Sequence, residues 1–306
     1  MKLLITPALK LTEEQCEILR EKHELFFLDD ERNSVDEQQI GFDLKEIEGI
    51  VCNFFFVKNS LNVLPNLRYI QLTSAGLDRV PVNEIREKNI ELHSIGDVYA
   101  IPMSEWAVGK VLEIMKCSRF FSNNQAEKKW EKNRTIRELY QAKATILGFG
   151  NVGKNIAKRL KGFEVEITAV DIKKIEENIV DKFYYLDELK KAVEKADAIF
   201  ITLPLVEETY HLINGEIMDA MKEDAIIINV ARGKLIDEEQ LIDRMKRGKF
   251  CGVALDVFET EPLEKESELW NFERVIVTPH NSFVGNGNQE RIFKRVLENL
   301  RTMDEI

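Results

Sequence analysis

Histidine and cysteine are both scarce in this chain, with four of each among 306 residues. The cysteines Cys16, Cys52, Cys117 and Cys251 stand far apart and form no C-x-x-C pair. That spacing argues against a zinc site or a disulfide framework and leaves reduced thiols of the core, so no metal is expected. No apolar run approaches the length of a membrane span. The start, MKLLITPALKLTEEQ, has too short an apolar patch before its acids to read as a secretory signal. An excess of positive charge is missing too: the net charge is -11, spread along the whole chain. This disfavours a general nucleic-acid surface. The expectation is a cytoplasmic protein with a small-molecule partner, no nucleic acid and no membrane. No repeat of solenoid period and no low-complexity tract is present.

What the chain does have is alternation. KLLIT (2–6), ELFFLD (24–29), GIVCNF (49–54), RYIQLT (68–73) and NIELHS (89–94) read as strands, and TEEQCEILREK (12–22) reads as a helix. A longer helical pattern runs over 103–121, with Ser104 placed to cap it. From 144 onwards come ATILG (144–148), VEITAVD (165–171), AIFITL (198–203), AIIINV (225–230), GVALDV (252–257) and RVIVT (274–278). Near-continuous apolar runs of this kind suit strands buried on both faces of a parallel sheet. The pattern predicts two α/β halves, with boundaries near 95–103 and 282–288. The final amphipathic segment, QERIFKRVLENLRTM, is expected to return to the first half.

The stretch ILGFGNVGKNIAKRL carries Gly148, Gly150 and Gly153 in G-x-G-x-x-G spacing. The motif alone is weak evidence. Here it follows an apolar strand and opens a helix, and Asp171 ends the next strand 18 positions after Gly153. That context makes it a dinucleotide fingerprint. Gly148 allows the tight turn, Gly150 lets the backbone approach a pyrophosphate, and Gly153 lets helix and strand pack closely. The helix N-terminus offers N–H groups to phosphates. Asp171 would accept from the ribose hydroxyls and disfavour a 2′-phosphate, so NAD is expected over NADP, although Lys173 and Lys174 follow closely.

Ligands of open α/β sheets bind beyond the carboxyl ends of the strands. Past three of those ends stand Arg232, Glu261 and His280. Reduction of a 2-oxo acid needs a hydride, a cation for the carboxylate and carbonyl, and a proton for the new alkoxide. Arg232 has the fixed fork of donors for the second task. His280 can give or take the proton, and Glu261 can orient it and favour its charged form. Phe54, Tyr99 and Trp270 are candidate pocket aromatics, although residues of this kind are more often plain core.

In these stretches the chain resembles the D-isomer-specific 2-hydroxyacid dehydrogenases. The likeness covers most of the chain and is densest in GFGNVG…VD, LPLVEETYHLIN, NVARGKLIDEEQLIDRMKRGK, GVALDVFETEPL and VIVTPH. It implies an α/β fold of two doubly wound parallel-sheet domains. One is a flavodoxin-like substrate domain over 1–100, completed by 283–306. The other is a Rossmann NAD-binding domain over 101–282. The resemblance makes Arg232 the substrate ligand, His280 the acid/base and Glu261 its partner. It lines the cofactor with Asn151, Val152, Leu203, Pro204, Thr209, Val230 and Ala231, and assigns Asp256 to the nicotinamide carboxamide. LTSAGLDRVP looks like the substrate loop, with the N–H groups of Ala75 and Gly76 on the carboxylate. SEWAVGKVLEIM is similar to the domain-linking helix and implies a homodimer. Val206 stands where threonine is common, and Asn281-Ser282-Phe283 where small residues are common. The first hundred residues match only loosely, which leaves the substrate's side chain open. An NAD(H)-sensing, corepressor-like protein stays as the alternative, and a different dinucleotide enzyme is disfavoured by the NVARG…TPH series.

Overall fold

The computed structural model describes residues 1–77 and 79–304; Asp78, within the expected substrate loop, lies outside the described residues. The chain forms two compact units, Met1–Tyr99 with Gly285–Ile306, and Ala100–Val284.

In the first unit β1 (Lys2–Ile5), β2 (Glu24–Phe27), β3 (Gly49–Cys52), β4 (Tyr69–Leu72) and β5 (Glu91–His93) make one sheet in the order β2-β1-β3-β4-β5. Every pairing is parallel, so all five carboxyl ends share one edge. The order reverses between β1 and β3, as in flavodoxin-like sheets. Side chains alternate between two buried faces. Leu4, Ile50, Cys52, Ile70 and Leu72 lie on one, and Leu3, Ile5, Val51 and Tyr69 on the other. Helix α1 (Glu13–Arg20) opens with a capping box in which Thr12 and Gln15 satisfy each other's backbone N–H. It places Leu19 on the second face. Short helices α2 (Phe55–Lys58) and α3 (Val82–Glu87) follow β3 and β4.

The second unit begins with α4 (Ala100–Met115) and α5 (Ser118–Ala126). The single helix expected over 103–121 is thus two. Cys117 takes a left-handed conformation (φ 52°) between them and breaks the hydrogen-bond ladder. Ser104 is not the cap. The helix starts earlier, with Pro102 in its first turn, where a missing N–H costs nothing, and the Ser104 hydroxyl donates to the Ile101 carbonyl at 2.8 Å.

Seven parallel strands follow: β6 (Lys143–Leu147), β7 (Glu166–Asp171), β8 (Lys182–Tyr185), β9 (Ala198–Ile201), β10 (Ile226–Asn229), β11 (Gly252–Leu255) and β12 (Val275–Val277). Their order is β12-β11-β10-β9-β6-β7-β8. Counted from β6, this is the Rossmann order 3-2-1-4-5-6 with one further strand. The sequence reading missed β8, KFYY, because it is an edge strand. Only its middle residues are half-buried, so it shows no continuous apolar run. Central strands are buried throughout, with Ile199, Ile201 and Ile227 on one face and Ala198, Phe200, Ile226 and Ile228 on the other. Helices α6 (Asn151–Lys161), α7 (Leu189–Val193), α8 (Gly215–Ala220) and α9 (Glu238–Lys246) cover those faces. The last helix, α10 (Asn288–Asp304), belongs to the first unit. Its Ile292, Phe293, Val296 and Leu300 pack with Leu3, Ile5, Val51 and Tyr69.

Candidate active site

In the second unit the strand order reverses between β6 and β9, and the glycine loop sits at that point. Gly148 has φ +87°, and a Cβ there would come within 2.8 Å of the Leu203 nitrogen in the segment that leaves β9. A Cβ on Gly153 would lie 2.3 Å from the Gly148 carbonyl oxygen. Around Gly150, by contrast, nothing lies within 4 Å of such a Cβ, and the residue is exposed at the start of α6. The loop is closed on its protein side and open on the side a pyrophosphate would approach, so the residues present fit a dinucleotide. Asp171 Oδ2 accepts from the Phe149 N–H at 2.8 Å, and Oδ1 accepts from the Ile172 and Lys173 N–H groups at 2.8 and 3.3 Å. The carboxylate therefore also fixes the loop. Asn151 is exposed and Val152 half-buried at the mouth of α6.

The loop after β9 is held by Thr209, which is buried. Its hydroxyl donates to the Pro204 carbonyl at 2.7 Å and accepts from the Val206 N–H at 2.8 Å. Leu203 is buried beneath it, while Pro204, Leu205 and Val206 are exposed. After β10, the buried Asn229 shapes the turn: Oδ1 accepts from Ala231 N–H at 3.0 Å and Nδ2 donates to the Arg232 carbonyl at 2.9 Å. Val230 and Ala231 are buried, and Arg232 is exposed with its Nη1 donating to the Ala231 carbonyl at 2.8 Å. A Cβ on Gly233 would fall 1.8 Å from the Phe258 carbonyl carbon, so the arginine turn rests directly on the segment that carries Glu261.

His280 Nδ1 lies 2.8 Å from Glu261 Oε2, and Glu261 Oε1 accepts from the Phe258 N–H at 3.1 Å. Both side chains are a little over a third exposed, at 39% and 37%. With Nδ1 engaged, Nε2 is the imidazole nitrogen left for a substrate. His280 itself takes φ 50°, and its N–H donates to the Asp256 carbonyl at 2.7 Å. The Asp256 side chain, fully buried, accepts from the Thr278 hydroxyl and from the Asn281 and Ser282 N–H groups, the last two at 2.8 Å. Every one of those bonds goes to the turn that presents His280, and none of the carboxylate faces solvent. The structure thus gives Asp256 an anchoring task beside the carboxamide contact that the resemblance implies.

In the first unit, Ala75 and Gly76 follow β4 at the carboxyl edge. Ser74 Oγ donates to the Gly76 carbonyl at 3.0 Å and shapes the turn. Among the described residues neither the Ala75 nor the Gly76 N–H meets an acceptor.

The sequence model of the D-isomer specific 2-hydroxyacid dehydrogenase NAD binding domain matches residues 108–282. The chain belongs to this family. It is 33% identical over 247 residues to a glyoxylate reductase of Thermofilum pendens, covering 78% of this chain and 73% of that one. It is 36% identical over 221 residues to a hydroxypyruvate reductase of Thermotoga maritima, covering 70% of each. The solved D-lactate dehydrogenase of Aquifex aeolicus, complexed with NAD and lactic acid, shares its fold. The TM-score is 0.77 at 23% identity, over 99% of this chain and 96% of that one. The protein is an oxidoreductase that interconverts 2-oxo and 2-hydroxy acids with a nicotinamide dinucleotide. The sensing alternative gains no support from these relatives.

The dehydrogenase also holds its Glu261 segment by contacts that sequence reasoning missed. His211 Nε2 lies 2.9 Å from Glu259 Oε1 as an ion-pair approach without hydrogen-bond geometry, and His211 Nδ1 lies 3.8 Å from Asp237 Oδ2. The Glu238 N–H donates to Glu259 Oε1 at 3.0 Å, and the Glu259 N–H donates to Glu238 Oε1 at 2.5 Å. Burial raises the Glu238 carboxyl above its ordinary range, and the Glu259 carboxylate adds to that. The ligand atoms of His211, Asp237 and Glu259 lie within 4.8 Å of one another, close enough to share a metal ion. Asp237, however, is already spent on the N-cap of α9, and Glu259 on the Glu238 N–H. The cluster is therefore a clamp on the 258–261 segment. Its only sequence signal is the spacing of acids in VFETEP and IDEE, which says nothing about which helix they meet.

Proposed function

We propose that this chain reduces a short 2-oxo acid to the D-2-hydroxy acid with NADH, and runs the reverse with NAD. On this reading the second unit is the NAD-binding domain and the first the substrate-binding domain. Arg232 binds the substrate's carboxylate and carbonyl with two parallel N–H donors. His280 Nε2 gives its proton to the carbonyl oxygen as C2 is reduced, and takes it back in the oxidation. Glu261 orients the ring and balances the charge it carries while protonated. The Ala75 and Gly76 N–H groups take the carboxylate in the first unit. When bound, reduced nicotinamide supplies the hydride. Asp171 takes the ribose hydroxyls, and the residues around the glycine loop, Thr209, Val230, Ala231 and Asp256 line the dinucleotide.

The observation that carries this reading is the 2.8 Å contact of His280 Nδ1 with Glu261 Oε2, on the sheet edge that also bears the glycine loop. NAD is favoured because Asp171 stands where a 2′-phosphate would go, while Lys174 is engaged with Glu176 at 2.9 Å. Glyoxylate and hydroxypyruvate are the first substrates to try, given the relatives above. A homodimer fits the apolar surface after α5, where Trp130 is 99% and Tyr140 54% exposed. A cytoplasmic site fits the free cysteines, and among the described residues no helix is long and apolar enough to cross a membrane. The test is NADH oxidation by the purified protein with glyoxylate, hydroxypyruvate and pyruvate, with NADPH in parallel. Turnover with NADH is expected. No turnover of any acid by protein that still binds NADH would contradict the reading.

A further inference from the structure

The first unit's sheet edge holds a cation that the reaction does not require. Arg79 follows Gly76 by three residues. Its Nη1 donates to Asn53 Oδ1 at 2.8 Å, and its guanidinium carbon lies 4.0 Å from the centre of the Phe54 ring. Asn53 and Phe54 are the first two residues after β3, the strand next to β4. The guanidinium is thus held at the end of the strand next to the one that leads into the Ala75–Gly76 turn.

This arginine is half-buried and has no carboxylate at ion-pair distance among the described residues. Four other half-buried arginines are paired, Arg137 with Asp197, Arg159 with Glu105, Arg244 with Asp219 and Arg295 with Asp97, while the half-buried Arg291 meets the Val98 carbonyl and the Asn288 amide. The exposed Arg274 meets three main-chain carbonyls. A partly desolvated guanidinium with a single amide acceptor keeps most of its donors for something else. Arg32, 4.8 Å from the same ring, adds positive charge. It lines a cleft of about 330 Å³ at the point where the strand order reverses between β1 and β3. Three acids line that cleft as well. Glu31 is buried and bonded to the Thr6 hydroxyl and the Asn53 N–H. Asp30 accepts from the Arg32 N–H and the Asn33 amide. Asp29 is on the exposed rim, and Arg79 lies outside the cleft's lining.

We infer that Arg79 is a specificity determinant for a second carboxylate, so that the favoured substrates are short 2-oxo dicarboxylic acids. This rests on the reading above and deepens it. Ala75 and Gly76 take the carboxylate beside the reacting carbonyl, and Arg79 takes the one at the far end of the side chain. Asn53 and Phe54 act as positioning residues that fix where the guanidinium sits.

The test compares acids that differ only in the distal carboxylate: oxaloacetate with pyruvate, and 2-oxoglutarate with 2-oxobutyrate, each with NADH. In the unaltered protein kcat/KM is expected to be higher for the diacid of at least one pair. Arg79→Gln is expected to lower the diacid-to-monoacid ratio by about 30-fold, the scale for losing one partner of a sheltered charge pair. The loss should fall mainly in KM, since the contact is equal in ground and transition states. Arg79→Lys should recover part of the ratio, and Asn53→Ala should lower it less than Arg79→Gln does. Turnover of the monoacids reports that each variant is folded. If the monoacids are turned over as well as or better than the diacids, or if Arg79→Gln leaves the ratio unchanged, this inference is overturned while the proposed reaction stands. If no 2-oxo acid is turned over, the proposed reaction fails and the inference with it.

Discussion

Around His280, at the edge of the seven-stranded sheet, ionisable side chains answer one another. Glu261 meets the imidazole, and Asp256 ties the turn behind it. His211, Glu238 and Glu259 clamp the segment carrying Glu261. At the edge of the five-stranded sheet the donors are left over instead. The Ala75 and Gly76 N–H groups meet no acceptor among the described residues, and Arg79 leans on an aromatic ring and one amide. The difference follows from what each edge does in the proposed reaction. Proton transfer depends steeply on angle and distance, so its groups are fixed by one another before substrate arrives. Recognition of a carboxylate needs donors that are positioned but unspent.

The comparison breaks hardest at Arg232, the cation proposed to bind substrate at the edge of the seven-stranded sheet. Arg232→Leu is expected to lower kcat/KM by about 10³-fold, within the range for removing a charged clamp. Steady-state kinetics on the best acid from the panel would show it, with NADH affinity little changed. A smaller effect is expected at Asp256. Asp256→Asn turns one of the two acceptor oxygens into a donor, which then faces either the Asn281 or the Ser282 N–H group. Stability should fall by about 2 kcal/mol, the cost of a buried unpaired group, and kcat by about tenfold as the His280 turn loosens. A thermal melt alongside kcat separates the two. A melt lowered with kcat intact would show the turn to be structural only.

The smallest effect probes the frame away from both edges. Asp197, at the start of β9, meets Lys222, Arg137 and the Lys143 N–H. Burial alone would raise its carboxyl, but the Lys222 and Lys143 hydrogen bonds and the nearby cations outweigh it and hold the group below its ordinary 3.8. A folded-state value below the unfolded one stabilises the fold above about pH 3.8, and that contribution is lost as pH falls through the lowered value. Asp197→Asn should therefore flatten the acid limb of a stability-against-pH curve, and change it little near neutral pH beyond a constant offset.

How far the sequence carried depended on whether a signal was local. The apolar runs of β6, β9, β10 and β11 were legible because burial on both faces leaves few polar residues in them, Thr145 inside β6 and Asn229 at the end of β10 among them. The glycine loop was legible because Gly148 and Gly153 each answer a close contact, with the end of the neighbouring strand and with the loop itself, while Gly150 is left open. The ends of α4 were not. A left-handed Cys117 carries no composition signal, since nothing local distinguishes it from a helical residue. Strand β8 escaped for the opposite reason, because its half-exposed edge dilutes the apolar pattern. At the site, Glu261 and His280 stood out by their motifs, but their anchors did not. Asp256 reaches 25 and 26 residues ahead to Asn281 and Ser282, and Arg79 reaches 26 back to Asn53. Pairings of that range are decided by strand order, which a motif does not encode.

The most direct test of the central claim is to measure turnover and NADH binding side by side in His280→Ala. The account predicts that NADH still binds, by its fluorescence change, while kcat falls by about 10³-fold, in the range for loss of a positioned proton donor. A variant that turns over 2-oxo acid at close to the original rate would contradict it, because the proton would then come from somewhere other than the His280–Glu261 pair.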